Sequence, residues 1–315
     1  MNVYHKLKEI IGIGYKLARL NTKLNELSER LHKIENANDD LKILNARIYN
    51  KLLEKETSSS LETFEFKVFS QFGDDGIIQY LIRKANISVK TFIEFGVENY
   101  REANTRFLLI NNNWKGLIMD GSETHIQQIK SEDLYWRQNL TAVSEFITRE
   151  NINGLISKNG FGGETGILHV DIDGNDYWVW DAINTTSPQM VIMEYNAVFG
   201  LNPWTVPYDQ RFYRTEKHHS NLYFGASLDA LNILAEKKGY SFVGCNSDGN
   251  NAYFIRNDKM NGMKKVDIKE GFVNSQFRES RDVNGNLTFI SEDERIKVIT
   301  GLPVYNVVTD KTETI

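Results

Sequence analysis

The chain contains a single cysteine, Cys245, among its 315 residues. One cysteine excludes an internal disulfide and is typical of proteins of the reducing cytosol. A catalytic thiol would need a basic neighbour to lower its pKa, and a buried, inert thiol is the commoner case. We therefore expect Cys245 to be a core residue of a cytoplasmic protein.

The sequence also lacks an excess of positive charge. It has 37 lysines and arginines against 42 aspartates and glutamates, so its formal net charge is −5. A general nucleic-acid binder needs a basic surface that neutralises phosphates. Nucleic acid is therefore not an expected partner.

Long apolar runs are missing as well, since none approaches the roughly 18–20 residues that span a bilayer. The N-terminus, MNVYHKLKEIIGIGYKLARL, is basic and amphipathic but lacks the small-residue cleavage site of a signal peptide. We expect a cytoplasmic location, with peripheral attachment to the inner membrane as the open alternative.

A heptad repeat occupies the first part of the chain. Apolar residues recur at alternating spacings of three and four, at Leu17, Leu20, Leu24, Leu27, Leu31, Ile34, Leu41, Ile48 and Leu52. Asn38 and Asn45 fall at a positions, where a buried amide favours paired, in-register helices. The pattern predicts a coiled coil over residues 1–54 that makes a homo-oligomer, either a dimer or a trimer. A single helix folded onto the rest of the chain is the alternative.

After a linker at residues 55–65, short apolar strands alternate with helices over residues 66–258. The predicted strands are 91–97, 115–122, 139–147, 166–174 and 189–196. This alternation indicates a Rossmann-like, doubly wound, mostly parallel sheet covered on both faces. Two further strands around SDGN predict a C-terminal antiparallel hairpin. Residues 259–315 show no clear period and are predicted to be a peripheral extension.

Polar residues follow four of the predicted strands. They are Glu94 and Gly96, then Asp120, Gly121 and Ser122, then Asp171 and Asp173, and finally Glu194 and Asn196. In a doubly wound sheet, ligands bind outside the carboxyl ends of the strands. These loops therefore predict one shared site.

The first of these loops lacks the G-x-G-x-x-G fingerprint that seats a dinucleotide pyrophosphate. It reads GVENYREA, with one glycine and two acids. Carboxylates repel a pyrophosphate, whereas S-adenosylmethionine carries a sulfonium and an ammonium group. The loop therefore favours the methyl donor over NAD, with Asp120 hydrogen-bonding the ribose hydroxyls.

Several motifs resemble the class I S-adenosylmethionine-dependent methyltransferases, in particular the bacterial branch related to FkbM-type sugar methyltransferases of surface-polysaccharide gene clusters. They are SQFGDDG, FIEFGVENYREANTRFLL, GLIMDGS, LHVDIDGNDY, VIMEYNAVFG, VPYD, YFGASL and KGYSFVGC, spread over Phe66 to Asp258. The resemblance implies a seven-stranded sheet. Glu98 stands where that family commonly has a second glycine.

The resemblance also implies which residues contact the cofactor. Glu94 and Gly96 would flank the methionine moiety, and Asp120 would hold the ribose. The remaining implied contacts are Ala142 and Val143 at the adenine, Ser70, Gln71 and Asp74 in an N-terminal lid segment, and Gly121, Ser122 and Asp171 in the strand-end loops.

DIDGNDY followed by IMEYN is also similar to macrocin-type, magnesium-dependent O-methyltransferases. On that match Asp173 and Glu194 are the candidate Mg²⁺ ligands, and a substrate diol would complete the coordination. Tyr195 stands where that family has a second aspartate.

The chemical step needs a base. Asp171 and Asp173 stand where donor and acceptor should meet, and His218 or His219 is a candidate general base. A surface histidine pair is the alternative for the latter two. Asp176 is expected to cap the following helix, and His169 to be a core residue. The candidate substrate contacts are Asn196, Tyr208, Asp209 and Arg211.

These features together predict O-methylation of a sugar, nucleotide-sugar or surface glycan, with magnesium as an optional aid. The coiled coil would pair two catalytic domains or dock them to a glycan-assembly partner. Two other hypotheses stay open: a catalytically weak coiled-coil scaffold and a nucleotide-dependent oxidoreductase.

Overall fold

A computed structural model describes residues 2–58, 60–291 and 293–315, apart from the side chains of residues 2–4, 6, 7 and 9–12. The chain divides into two compact units, Met1–Lys51 and Leu52–Ile315. No helix within the described residues is both long enough and apolar enough to cross a membrane.

Helix α1 (Asn2–Leu53) is continuous. Its sequence contains no proline, and leucines and charged residues favour a helix. The heptad positions keep their side chains largely exposed: Leu24 is 55% exposed, Leu31 59% and Ile34 65%. The predicted helix is confirmed, and its apolar stripe faces outward along the first unit.

Ten strands and ten further α-helices follow α1 in the described part of the chain. The strands are β1 (Thr91–Phe95), β2 (Lys115–Asp120), β3 (Leu140–Ser144), β4 (Gly163–Val170), β5 (Thr186–Glu194), β6 (Trp204–Thr205), β7 (Tyr240–Cys245), β8 (Asn251–Arg256), β9 (Pro303–Asn306) and β10 (Lys311–Thr314). The helices are α2 (Asp74–Lys84), α3 (Arg106–Asn112), α4 (Glu123–Ser131), α5 (Asp133–Arg137), α6 (Ile152–Lys158), α7 (Asp176–Ala182), α8 (Arg214–Lys217), α9 (Leu228–Lys237), α10 (Ile268–Gly271) and α11 (Asp293–Val298).

The main sheet has seven strands in the order β3-β2-β1-β4-β5-β8-β7. Strands β1 to β5 pair in parallel, and β8 pairs antiparallel with both β5 and β7. The predicted doubly wound sheet with a terminal antiparallel hairpin is therefore confirmed. The strand order reverses between β1 and β4, which is where a sheet of this kind opens a ligand crevice.

Both faces of the sheet are covered by apolar side chains. On one face Phe95 and Val170 belong to a cluster with residues of α7 and α9, and on the other Phe92 and Ile192 pack with residues of α2 and α3. A strand buried on both sides has no alternation of apolar and polar residues, which explains runs such as TFIEF. Cys245 is buried, as expected.

The segment 259–315 is not peripheral, which corrects the sequence-based prediction. Strand β9 lies between β10 and β6 in a second, three-stranded sheet. Ile299 and Val304 join Phe199 and Val206 in a third apolar cluster. Four-residue strands carry too little periodicity to be recognised in a sequence.

The ends of β1 and β4 approach each other closely at Gly96. This residue has φ +72°, and a Cβ placed on it would lie 1.7 Å from the backbone oxygen of Asp171. Glycine is therefore needed for two reasons, a left-handed conformation and the absence of a side chain.

We predict that Gly96→Ala destabilises the protein far more than Gly160→Ala does. Gly160 has a similar φ of +75°, but a Cβ placed on it would meet no described atom within 4 Å. Its substitution therefore costs only backbone strain, about 1 kcal/mol. The clash at Gly96 should raise the cost to roughly 3 kcal/mol or more. Urea unfolding of both variants measures the difference, and equal losses would show that the strand ends do not depend on this contact.

Candidate functional site

A cavity of about 1260 Å³ lies at the carboxyl ends of β1, β2, β4 and β5. Its lining also includes the loop after β3, some residues of the segments 212–224 and 275–285, and Arg295. Pockets for a single small ligand usually measure about 300–1,000 Å³. The cavity is therefore large enough for a cofactor and part of a second molecule.

One end of the cavity is built around Asp120. Its Oδ2 accepts a hydrogen bond from the Glu98 backbone N–H at 2.8 Å, and its Oδ1 accepts one from Ser122 N–H at 2.7 Å. Ser122 also caps α4. The structure thus brings Gly96, Asp120, Gly121 and Ser122 together in the lining, and each Asp120 oxygen retains a lone pair for a ligand hydroxyl.

Glu94 lines the same cavity, but its carboxylate already accepts hydrogen bonds from other residues of the protein. Its Oε1 accepts hydrogen bonds from Asn104 N–H (2.9 Å) and His169 Nδ1 (2.8 Å), and its Oε2 accepts from both the backbone and the hydroxyl of Thr105. Burial opposes the charged imidazolium, but the hydrogen bond and charge of Glu94 raise the pKa of His169. Glu94 therefore joins β1 to β4 and to the start of α3. His169 is buried and hydrogen-bonded, as predicted for a core residue, and it also belongs to the cavity lining.

The predicted lid segment enters the cavity mainly through Gln71. The side chain of Ser70 is directed to Asp75, whose Oδ2 also accepts the backbone N–H groups of residues 68–70. The carboxylate of Asp74 accepts hydrogen bonds from Asn246, Asn251 and the Tyr253 hydroxyl. Ser70 and Asp74 thus support the wall, and neither belongs to the cavity lining.

Ala142 and Val143, predicted at the adenine, lie inside β3 and do not line the cavity. The lining instead contains Glu145, Phe146 and Ile147, directly after that strand. The end of strand β3 could have located these residues, but the sequence pattern predicted that end at residue 147, whereas the strand ends at Ser144.

Asp171 and Glu194 form the centre of the cavity, at the ends of β4 and β5. Both carboxyl groups are buried, and the negative charges of neighbouring acids act on each of them. Burial and the charge of Asp173 raise the pKa of Asp171 to about 7. Burial and the charges of Asp171 and Asp173 raise the pKa of Glu194 well above its ordinary value. Near neutral pH this pair can therefore accept or release one proton.

Asp173 does not join this pair. It has φ +55°, its side chain is 56% exposed, and its Oδ1 forms an ion pair with Arg214 Nη1 at 2.6 Å. No group of three acidic, histidine or cysteine side chains among the described residues is placed to hold a metal ion. Asp173 is paired with Arg214, and burial and neighbouring charges raise the pKa of Glu194. The donor set therefore does not fit Mg²⁺, because a carboxyl group binds this ion in its ionised form.

Only one of the four predicted substrate contacts lines the cavity. Asn196 lines the cavity, but its amide is buried and donates to the carbonyls of Leu222 and Phe224. Three others are outside the lining: Tyr208, which hydrogen-bonds Glu150, Asp209, which accepts from Lys217 and Arg211 N–H, and Arg211 itself.

The two histidines also differ. His219 lines the cavity, whereas His218 is turned to the Ser220 hydroxyl at 2.8 Å and is not part of the lining. Burial lowers the pKa of His218. Asp176 does not cap α7: it lies in the first turn and accepts the backbone N–H groups of Ile172 and Gly174, which closes the loop that presents Asp173.

Several lining residues were not identified from the sequence. Arg214 lies in the segment after β5, and Ser275, Phe277, Glu279, Arg281, Asp282 and Arg295 lie in the C-terminal segment. Nothing local in the sequence marks them, because an isolated arginine or glutamate in an irregular segment is usually solvent-exposed.

No family model and no curated protein matches the chain. Among solved structures, an S-adenosylmethionine-dependent methyltransferase from Clostridium acetobutylicum ATCC 824 is 10% identical, with a TM-score of 0.39, covering 67% of this chain and 97% of that one. An O-methyltransferase from Bacillus cereus in complex with SAH is 11% identical, with a TM-score of 0.38 and coverages of 68% and 89%. The N-terminal domain of EvdMO1 with SAH bound is 10% identical, with a TM-score of 0.39 and coverages of 59% and 80%. Likeness at this level decides neither activity nor substrate.

We predict that the Asp171–Glu194 pair makes the protein less stable as the pH rises from 5 to 8. A carboxyl group whose folded-state pKa is raised holds its proton in the folded state after the unfolded chain has released it, so stability falls with rising pH. Asp171→Asn should reduce that fall by roughly 2–4 kcal/mol, given about 1.4 kcal/mol per pKa unit. Urea unfolding at both pH values measures it.

Asp282→Asn is the matched control for this measurement. Asp282 also lines the cavity, but its hydrogen bonds to Asn286 lower its pKa, so it stays ionised over this range. If Asp171→Asn and Asp282→Asn change the pH dependence equally, the raised pKa of Asp171 is disproved.

Proposed function

We propose that this protein is an S-adenosylmethionine-dependent methyltransferase that O-methylates a sugar, a nucleotide-sugar or a surface glycan. The observation that carries the proposal is a cavity at the point where the strand order reverses, with Asp120 at one end and the Asp171–Glu194 pair at its centre. Cofactors bind at such crevices in doubly wound sheets.

The cofactor end suits a methyl donor better than a dinucleotide. The loop after β1 uses the Glu98 N–H to hold Asp120, and α3 begins at Arg106, ten residues beyond Gly96. A pyrophosphate site needs a helix N-terminus directly after the glycine turn, and the described residues place none there. Asp120 suits ribose hydroxyls, and Phe146 offers an apolar surface to a base. When bound, S-adenosylmethionine supplies an electrophilic methyl carbon on a sulfonium.

The acidic pair is suited to remove the proton of an acceptor hydroxyl. A general base works best when its pKa lies near the working pH, and the pKa of Asp171 is about 7. Glu194 Oε2 is buried without a hydrogen-bond partner among the described residues, so an acceptor O–H can donate to it. The carboxylate pair would accept the proton of the acceptor hydroxyl, and the thioether left when the sulfonium loses its methyl group would be the leaving group.

The remaining lining supports a polyhydroxylated acceptor. It combines charged and hydrogen-bonding side chains with exposed aromatic rings, and its members include Tyr213, Arg214, His219, Phe277 and Arg281. Sugars present many hydroxyl groups and a ring face that packs on aromatic side chains. Mg²⁺ is not part of the proposal, because Asp173 and Glu194 are otherwise engaged.

We expect S-adenosylmethionine to bind one site per chain in calorimetry, and NAD to show no binding. Asp120→Asn should weaken S-adenosylmethionine binding about tenfold or more, since hydrogen bonds to a charged group contribute about 1.5–3 kcal/mol. Glu123→Gln, an exposed residue near Asp120 that is outside the lining, is the control and should bind normally.

Absence of S-adenosylmethionine binding would reject the methyltransferase proposal and favour a scaffold with this fold. Labelled methyl transfer to a panel of glycans and nucleotide-sugars, with and without chelator, then identifies the acceptor. Asp171→Asn should lower turnover there and leave cofactor affinity unchanged.

We also propose that α1 pairs with a second copy of itself. Its heptad stripe is exposed along residues 17–48, and burying such a stripe is what stabilises a long helix in water. The asparagines at a positions 38 and 45 favour an in-register, parallel arrangement.

Light scattering of the full chain should therefore give a dimer or trimer, and Leu31→Lys should give a monomer. The control is Asn36→Lys, which adds the same charge at an exposed position outside the heptad core and should leave the oligomer intact. A monomeric full chain contradicts the pairing.

A further inference from the structure

Arg214 lines the cavity and is held by contacts with three other residues. Its Nη1 donates to Asp173 Oδ1 at 2.6 Å and its Nε donates to the Asn221 carbonyl at 2.7 Å. The guanidinium carbon is 3.8 Å from the centroid of the Phe224 ring. The side chain is only 17% exposed, so its position is defined.

The charges of three acidic side chains act on this guanidinium. Burial by itself disfavours its charge, but the charges of Asp173, Glu194 and Glu279 outweigh burial and raise the pKa of Arg214. Asp173 belongs to the loop after β4, Glu194 to the end of β5, and Glu279 to the C-terminal segment. Arg214 is therefore the positive charge shared by acids from three parts of the chain.

A divalent cation and this guanidinium would compete for the Asp173 carboxylate. Mg²⁺ needs about six oxygen ligands at 2.0–2.1 Å, and an adjacent positive charge repels it. Nη2 of Arg214 makes no hydrogen bond to the described residues, so it can donate to a ligand oxygen in the cavity.

We propose that Arg214 occupies the place of a divalent cation in this site and binds the acceptor oxygen directly, so that the enzyme needs no metal. The contact with the acceptor rests on the proposed function, whereas the replacement of the cation does not. A guanidinium offers fixed, planar N–H donors, and its charge does not depend on a free metal pool.

Mn²⁺ binding to the full chain tests the replacement, because its electron paramagnetic resonance signal is lost when the ion is bound. We expect the wild-type protein to leave the Mn²⁺ signal unchanged. Arg214→Met should bind one Mn²⁺ at least about tenfold more tightly than wild type, because it frees the Asp173 carboxylate and removes a like charge, and water can supply the remaining ligands. The double variant Arg214→Met with Asp173→Asn should lose that binding.

Two controls separate this result from misfolding and from a general charge effect. Arg214→Lys keeps the positive charge and should bind no Mn²⁺. Lys217→Met removes a charge outside the cavity lining and should also bind none. Circular dichroism verifies that each variant is folded.

Stoichiometric Mn²⁺ binding by the wild type that Asp173→Asn abolishes would overturn the proposal, and so would a folded Arg214→Met that binds no Mn²⁺. Neither measurement uses S-adenosylmethionine or turnover. Failure of the methyltransferase proposal therefore appears as missing cofactor binding, and failure of the cation replacement appears only in the Mn²⁺ signal.

Discussion

The contact between the ends of strands β1 and β4 is the constraint on which the rest of the site depends. Glu94 accepts four hydrogen bonds at this point and joins His169 on β4 to the segment that leads into α3. Two residues later, Gly96 lets the backbone of one strand end touch that of the other. A crevice opens beside this contact because the loops leave the sheet in opposite directions.

Charge balance is the second requirement of the site. Three acids, Asp171, Asp173 and Glu194, stand within one crevice, and like charges in a poorly hydrated place destabilise one another. This repulsion is relieved in two ways: the raised pKa values of Asp171 and Glu194 favour their uncharged forms, and Arg214 pairs with Asp173. The same arrangement leaves one group able to accept a proton near neutral pH.

Much of this architecture was predictable from the sequence, since buried parallel strands produce continuous apolar runs that are hard to mistake. Asp120, Asp171 and Glu194 were predictable for a related reason, because a strand ends where the apolar run ends and its last polar residues face the crevice. Side-chain direction was not predictable: Asp74 and Ser70 look like site residues until their hydrogen bonds to Asn246, Asn251 and Asp75 are seen.

The residues that the sequence did not reveal share one property, which is that their partners lie far away along the chain. Arg214 meets Asp173 across 41 positions, and Arg281 and Arg295 enter the cavity from a segment without detectable periodicity. Long-range pairs of this kind depend on the folded arrangement of loops, which no local pattern encodes.

Arg295 links distant parts of the C-terminal segment by hydrogen bonds. Its guanidinium donates to the carbonyls of Ser275, Phe277 and Ile290. A single side chain therefore holds the two ends of an irregular loop together. The loop between these anchor points forms part of the cavity wall yet contributes no strand to the main sheet. A change in the length or composition of this loop would therefore alter the cavity wall and leave the strand pairing of the main sheet intact.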